Sequence, residues 1–253
     1  MAISFLQTVA SSWASTFTSS HVITFSATPA SGNFLFAFIH IDVSTAPTLT
    51  IPSGWTSIGW PSYATSLDPV YLQGMYKISN GAETGFTIGT STGCRMGVAC
   101  VELSGVDTSS PIASNDAYMA SVYTGSTRRG FEYDMGSFSA SADTSYVLRG
   151  SACNDDGDGG TFDIGTPGGH TQLIHIENAS YGALKVLAVN PYVAGDSVPN
   201  ASITTESIDG GEVDAVETGS IGLRVAGSSP VGPSALRVSH VANAIRLQPN
   251  YKW

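Results

Sequence analysis

The chain has 253 residues, of which charged side chains make up only 12%, well below the ~25% of an ordinary globular domain. That length leaves room for one large all-β domain or two small ones, either with a sizeable core, and the abundant Ser, Thr, Gly and Ala suit strand faces that carry hydroxyls in place of charges. A net charge of −10 excludes a binder of nucleic-acid phosphates, whose affinity rests on Lys and Arg. The longest apolar run, FLFAFIHI, falls far short of the ~20 residues a membrane helix needs. The opening MAISFLQTVASSWASTF has no basic start and no apolar stretch of signal-peptide length, so a product of the cytoplasm is expected, with no membrane partner.

Strand signals run through the chain, and helical periodicity is weak throughout. ISFLQTVAS and HVITFSA read as the first two strands, each rich in β-branched or aromatic residues and closed by small polar ones. NFLFAFIHIDV follows, with Phe34, Phe36 and Phe38 on one face and Leu35, Ala37, Ile39 and Ile41 on the other. Both faces are apolar, which predicts a central strand buried on both sides. PTLTIPSGWTSIGW, YLQGMYKIS, TGFTIGTST and MGVACVELSGV continue the rhythm, separated by turn-formers such as Asn80-Gly81 and Thr92-Gly93.

A polar stretch from Asp107 to Asp134 interrupts the pattern, which resumes with TSYVLRGSACND, GTFDIG, HTQLIHIEN, YGALKVLAVN, SIGLRVAG and ALRVSHVANAIRLQP. About a dozen short strands at close spacing indicate a sandwich or barrel. Residues 190–219, acidic and with two prolines, read as long loops flanking at most one strand, and the acids from Glu206 to Glu217 as solvated.

The two halves resemble each other. In the first, FLFAFIHIDV leads through a loop to LTIPSGWTSIG; in the second, YVLRGSACND leads to FDIGTPGGHTQLI. Pro52-Ser53-Gly54-Trp55-Thr56 thus lies over Pro167-Gly168-Gly169-His170-Thr171, and VACVELSGV and ANAIRLQP close the halves in similar style. Each half alone would leave sheet edges and an apolar face open. The expected fold is therefore one all-β, antiparallel, jelly-roll-like β-sandwich over 1–253, with a first half at about 1–106, a crossing linker at about 107–134 and a second half at about 135–249.

Several stretches bear on chemistry. CNDDGDGGTFDIG nearly fits a calcium loop: Asn154, Asp156 and Asp158 hold the first ligand positions and Asp163 adds a hard oxygen. Its twelfth position, however, is Gly165 where a bidentate Glu should close the shell, and the alternative is the wet tip of a hairpin. Apart from that calcium site, no cofactor is expected. Gly89-Thr90-Ser91-Thr92-Gly93 matches a nucleophile elbow as text, but a strand pattern follows where that motif needs a helix. Cys94, Cys100 and Cys153 form no CxxC pair, and Cys100 reads as a buried thiol. Trp60, Tyr63 and Tyr71 are candidates for a sugar-stacking platform, whereas Trp55, beside a turn, is expected to cap a core.

Five elements together resemble a family of all-β structural proteins of tailed phages and prophages: Gly32-Asn33 before a hydrophobic strand, Pro52 to Thr56, Tyr76-Lys77, the turn Gly81-Ala82-Glu83, and Ser104 to Asp107. The second half is similar through NDDGDGGTFDIGTPGGHT and NAIRLQP, with Gly169-His170-Thr171 where the family has Gly-Trp-Thr. The resemblance implies a non-enzymatic virion protein made in the host cytoplasm and exposed on the particle. A capsid decoration (cement) protein is the first expectation; a tail-associated or fibre protein and a carbohydrate-binding module for host surface glycan are the alternatives. Its expected partners are further copies of itself, a trimer among the options, and other virion proteins such as the major capsid protein. Candidate subunit contacts are Phe5, Tyr118, Tyr123, Tyr251 and Trp253.

Overall fold

The computed structural model describes residues 2–43, 45, 47–60, 70–120, 131–134, 137–154, 162–178, 182–189, 192–193, 197–198, 202–207 and 215–227. Among them the regular structure is all strand. The first half supplies β1 (Ser4–Thr24), β2 (Phe34–Asp42), β3 (Leu49–Thr50), β4 (Thr56–Ile58), β5 (Val70–Ile78) and β6 (Gly85–Ser104). The second supplies β7 (Ile112–Ala120), β8 (Phe131–Asp134), β9 (Phe138–Ser139), β10 (Tyr146–Asn154), β11 (Phe162–Ile164), β12 (His170–Asn178), β13 (Gly182–Val189), β14 (Ser197–Val198), β15 (Ser202–Ser207) and β16 (Ala215–Leu223).

Two antiparallel sheets form the sandwich. The first runs β1-β6-β2-β5-β4, with β3 also paired to β6, and the second β12-β13-β10-β16-β7. The expected antiparallel sandwich of two halves is therefore present, and each half contributes one whole sheet. Taken from β1 and from β7, the principal strands follow the same spatial order in both sheets: first, last, second, fourth, third. The sheets are stacked in opposite sense, β1 over β12, β6 over β13 and β5 over β16, as two objects exchanged by a two-fold rotation would be. The stretch expected only to cross between halves carries β7, an edge strand of the second sheet.

The Pro-x-Gly repeat proves to be one turn used twice. Trp55 N–H donates to the Pro52 carbonyl at 3.1 Å and His170 N–H to that of Pro167 at 3.2 Å. Gly54 and Gly169 take φ of 79° and 76°, a left-handed conformation that favours glycine. Each turn delivers the chain into the edge strand farthest from the N-terminal strand of its sheet, β4 or β12. The place of β6 in the second sheet is taken by β16; ANAIRLQP lies outside the described residues.

The main core lies between the sheets. Phe34, Phe36, Phe38, Trp60, Val101 and Leu103 of the first half meet Leu148, Leu184, Val186, Ile221 and Leu223 of the second. The approach at the centre is close: a Cβ at Gly150 would lie 2.1 Å from the Phe38 ring, and one at Gly219 2.5 Å from the Trp60 ring. Glycine there is a packing requirement, since any side chain would force the sheets apart.

Alternation along β2 gives the first sheet a second apolar face, as its sequence predicts. This face is covered from within the first half. β1 and β6 pair along nearly their whole lengths, with register breaks between Phe5 and Gln7, between Thr8 and Ala10, and twice between Ala14 and Ser20. Beyond the break the ribbon returns over the sheet, burying Ile23, Phe86 and Ile88 against Leu35, Ala37 and Met75, with Trp55 capping that outer core. Ser26 N–H donates to the Val9 carbonyl at 2.8 Å and closes the bend. The outer face of the second sheet differs: Val147 packs with Phe138 and Val198, while Arg149, Ser151, Lys185, Thr218 and Ser220 are polar and buried.

Candidate functional site

The sequence-derived candidates are distributed as follows. Asn154 ends β10 opposite Ala215, and Asp163 sits in β11 opposite Glu206, so these two calcium candidates belong to different sheets. Asp156 and Asp158 lie outside the described residues. Among the described residues no three His, Cys, Asp or Glu side chains converge as a metal would require. Trp60 and Tyr71 are buried and belong to different cores, Trp60 to the one between the sheets and Tyr71 to the outer one. They form no stacking platform, because neither presents a ring face to solvent; Tyr63 lies outside the described residues. Phe5 is half-buried, packed against the inter-sheet core. Tyr118 lies on β7 opposite Thr218, and Tyr123, Tyr251 and Trp253 are outside the described residues.

The residues that carry the family resemblance can be placed individually. Asn33 donates its amide to Glu102 Oε1 at 2.6 Å, beside the Ala30 N–H at 2.8 Å, while Gln7 donates to Oε2 at 2.6 Å. One buried carboxylate thus ties β1 and the loop before β2 to β6. Asp107 accepts from the Ser109 N–H and hydroxyl at 2.8 and 2.7 Å, and Val106 bridges Val225 where the two halves meet. Glu83 pairs with Lys77 at 3.0 Å and accepts from Ser79 and from the N–H groups of Asn80, Gly81 and Ala82.

Burial alone would push the Glu83 carboxyl up, but the Asn80 N–H, the Lys77 ammonium and the Ser79 hydroxyl hold it down to about 2. Its stabilising contribution is therefore complete above the ordinary value of 4.5 and is lost as pH falls toward 2. Glu83→Gln should cost about 2–3 kcal/mol at pH 7 and little near pH 2. Urea melts of both proteins at the two pH values check this, and an equal loss at both would count against the ion pair.

The fold also assembles polar groups that are distant in sequence. Cys94 Sγ lies 3.4 Å from His21 Nε2, a juxtaposition that resembles a nucleophile and its base. Both are buried; burial pushes the thiol up and the imidazole down, so the pair rests neutral, and His21 Nε2 also lies 3.0 Å from the Thr18 carbonyl. Ser91 of the G-x-S-x-G string sits within β6, where its Oγ accepts the Thr48 N–H at 2.9 Å. It occupies no strand-to-helix elbow.

Glu217, expected in a solvated loop, is instead fully enclosed between the sheets. β4 ends its pairing at Ile58↔Gly74, which leaves the Leu72 N–H on β5 without a ladder partner, and Glu217 Oε2 accepts it at 2.7 Å. Burial pushes this carboxyl well above its ordinary value, while the Leu72 bond draws it down, and Oε1 has no partner. His40, paired with Leu72 in the ladder, is also fully buried, and burial lowers its imidazole to about 3. Its ring packs 5.1 Å from that of Trp13, and neither ring nitrogen finds a partner. Burial at this end of the interior thus disfavours the charged form of both a carboxyl and an imidazole.

On the outer side of the first sheet a pocket of about 220 Å³ is lined by Ile41, Pro47, Leu49, Ile51, Tyr71 and Gln73, with Ser57 at its wall. Among the described residues its lining includes no charged group. The surface itself stands out on β1. No charged residue and no proline occurs from Ser4 to Thr24, and among the described residues the strand pairs with β6 alone, while Arg95 donates to the Ser15 carbonyl at 3.2 Å and stacks on the Phe17 ring. Leu6, Phe17 and Val22 of this strand are three of the four large apolar side chains exposed among the described residues.

The fold defines a two-sheet antiparallel sandwich. No family model, curated protein or solved structure matches the chain.

Proposed function

We propose that the chain is a non-enzymatic structural protein of a bacteriophage particle, exposed on the virion, with capsid decoration as its post. The observation that carries this reading is that the residues of the phage-protein resemblance work as structural parts: Asn33 with Glu102, the Pro52–Trp55 turn, Lys77 with Glu83, and the Val106 bridge. The polar groups closest to a catalytic arrangement, Cys94 with His21 and Glu217 beside Leu72, are enclosed where burial disfavours their charged forms, which favours a structural role over chemistry. Burial of Trp60 and Tyr71 takes away the surface on which the glycan-binding alternative rested. The partners in this reading are further copies of the chain and the shell protein beneath it.

Immunogold labelling of purified particles tests the proposal. Label distributed over the head is the expected result; label confined to the tail would move the protein to a tail post. Particles that carry none would sink the virion reading altogether.

A further inference from the structure

We propose that Asn80 is a covalent modification site, closing on the Gly81 nitrogen to a succinimide that opens to aspartate and isoaspartate, and that Glu83 sets the rate. In that closure the Gly81 N–H gives its proton to hydroxide, the nitrogen bonds to the Asn80 amide carbon, and the side-chain nitrogen leaves as ammonia. Water then opens the ring at either carbonyl, so neither oxidant nor reductant takes part. The nucleophile is a backbone N–H, and whatever holds that N–H holds the reaction.

The turn between β5 and β6 supplies both the reactants and the restraint. Asn80-Gly81 is the one Asn-Gly pair in the chain, and glycine puts no side chain in the way of the ring. Asn80 is exposed, so water and hydroxide reach its amide. The Ala82 N–H donates to Asn80 Oδ1 at 2.8 Å, which polarises that carbonyl and folds the amide over the turn. Against this, the Gly81 N–H donates to Ser79 Oγ at 3.0 Å and to Glu83 Oε2 at 3.2 Å, while Glu83 Oε1 accepts the Asn80 N–H at 2.9 Å. The turn is also seated on the loop before β2. A Cβ at Gly81 would lie 3.0 Å from the Ser31 side chain, the Gly32 N–H donates to the Ser79 carbonyl at 2.9 Å, and the Ser79 N–H donates to the Asn33 carbonyl at 2.8 Å. The Gly81 N–H must leave both acceptors before its nitrogen can turn to the Asn80 side chain, so conversion waits on local opening of this turn. The bond to a carboxylate is the stronger of the two, which makes Glu83 the main restraint. Neither the turn nor its chemistry depends on virion membership.

Peptide mapping by mass spectrometry tests the site, with the full chain incubated at mildly alkaline pH below its melting temperature and isoaspartate identified by enzymatic methylation. The native chain should convert slowly at Asn80, and the same chain unfolded in urea much faster. Glu83→Ala should convert faster than the native chain by roughly tenfold or more, the rate factor of one charge-assisted hydrogen bond. Ser79→Ala, which keeps the Glu83 charge and removes the other acceptor, should accelerate conversion by a smaller factor, and it replaces Glu83→Ala if that variant loses its fold. Arg224→Ala, which breaks a buried ion pair with Asp143 in the second half, should convert at the native rate, since the opening required is local. Three results would overturn the proposal: a folded Glu83→Ala chain no faster than the native one, a native chain as fast as the unfolded one, or Arg224→Ala accelerated as much as Glu83→Ala.

Discussion

Replacing Arg224 by Ala should lower the stability of the chain by about 3–5 kcal/mol, the cost typical of breaking a buried ion pair from one side. Arg224 is 1% exposed and sits just past the end of β16. Its Nε donates to the Asp143 carboxylate, and its Nη1 donates to the Ser110 carbonyl at 3.0 Å, the Ser110 hydroxyl at 2.8 Å and the Ile112 carbonyl. Its backbone joins the same seam, the N–H donating to the Pro111 carbonyl and the C=O accepting from Asp107. One side chain thus holds the entry into β7, the turn before β10 and the end of β16 together.

Truncation would leave the Asp143 carboxylate enclosed without its cation. Burial would then raise that carboxyl, which the Ser141 hydroxyl and Arg224 now hold below the ordinary range. A melting temperature lower by ~10 °C is expected for a chain of this size. Arg224→Lys should recover little, because a single ammonium cannot meet the planar set of acceptors. Differential scanning calorimetry of the two variants decides the matter, and an Ala variant within about 1 kcal/mol of the native chain would show the seam to be dispensable.

Glu217→Gln should act in the opposite direction and stabilise the chain at neutral pH. A carboxyl held above its ordinary value in the folded state binds its proton more tightly there than in the unfolded chain. The native protein therefore loses stability as pH rises above 4.5, by on the order of 1.4 kcal/mol per pH unit until the folded group itself ionises. Glutamine keeps an acceptor for the Leu72 N–H and removes the titration, so the gain should be large at pH 8 and vanish near pH 4. His40 contributes the reverse slope. Its lowered imidazole costs stability as pH falls from 6.5 toward 3, so both proteins weaken on the acid side. Glu217→Ala gives the contrast: it strands the Leu72 N–H, offsetting the gain by about 1–3 kcal/mol. Guanidinium titrations across pH measure all three, and parallel native and Gln curves would show that Glu217 is ionised in the folded chain.

The strands whose pattern depends on neighbours in sequence were legible beforehand. Phe34 to Ile41 announces burial on both faces because every residue but His40 is apolar, and the strand is buried on both faces. Trp55 beside its Pro-Gly turn was readable as a core cap, and the repeated turn was readable from Pro52 and Pro167. Where small polar residues accumulate, the reading divided single elements. Ser11 to Ser20 looks like a break between two strands, yet β1 runs through it, because bulges let Ser and Thr follow a bend without leaving the ladder. β6 was divided in the same way near Gly93.

The interior polar groups were hidden for a different reason. Glu217 reads as solvated among the glycines and acids that precede it; only the short length of β4, on the opposite sheet, gives it an N–H to accept. Cys94 with His21, and Arg224 with Asp143, are pairs that only tertiary contact creates, 73 and 81 residues apart. No local spacing could signal either.

The returning ribbon of β1 and β6 has a further consequence. Among the described residues it gives the first half apolar cores on both sides of its sheet, whereas the outer face of the second sheet joins the Phe138, Val147 and Val198 cluster to a polar buried layer. Two modules of the same topology therefore rest on unequal foundations. Among the described residues the first keeps an outer core built from its own strands, and the second shares its largest core with the first.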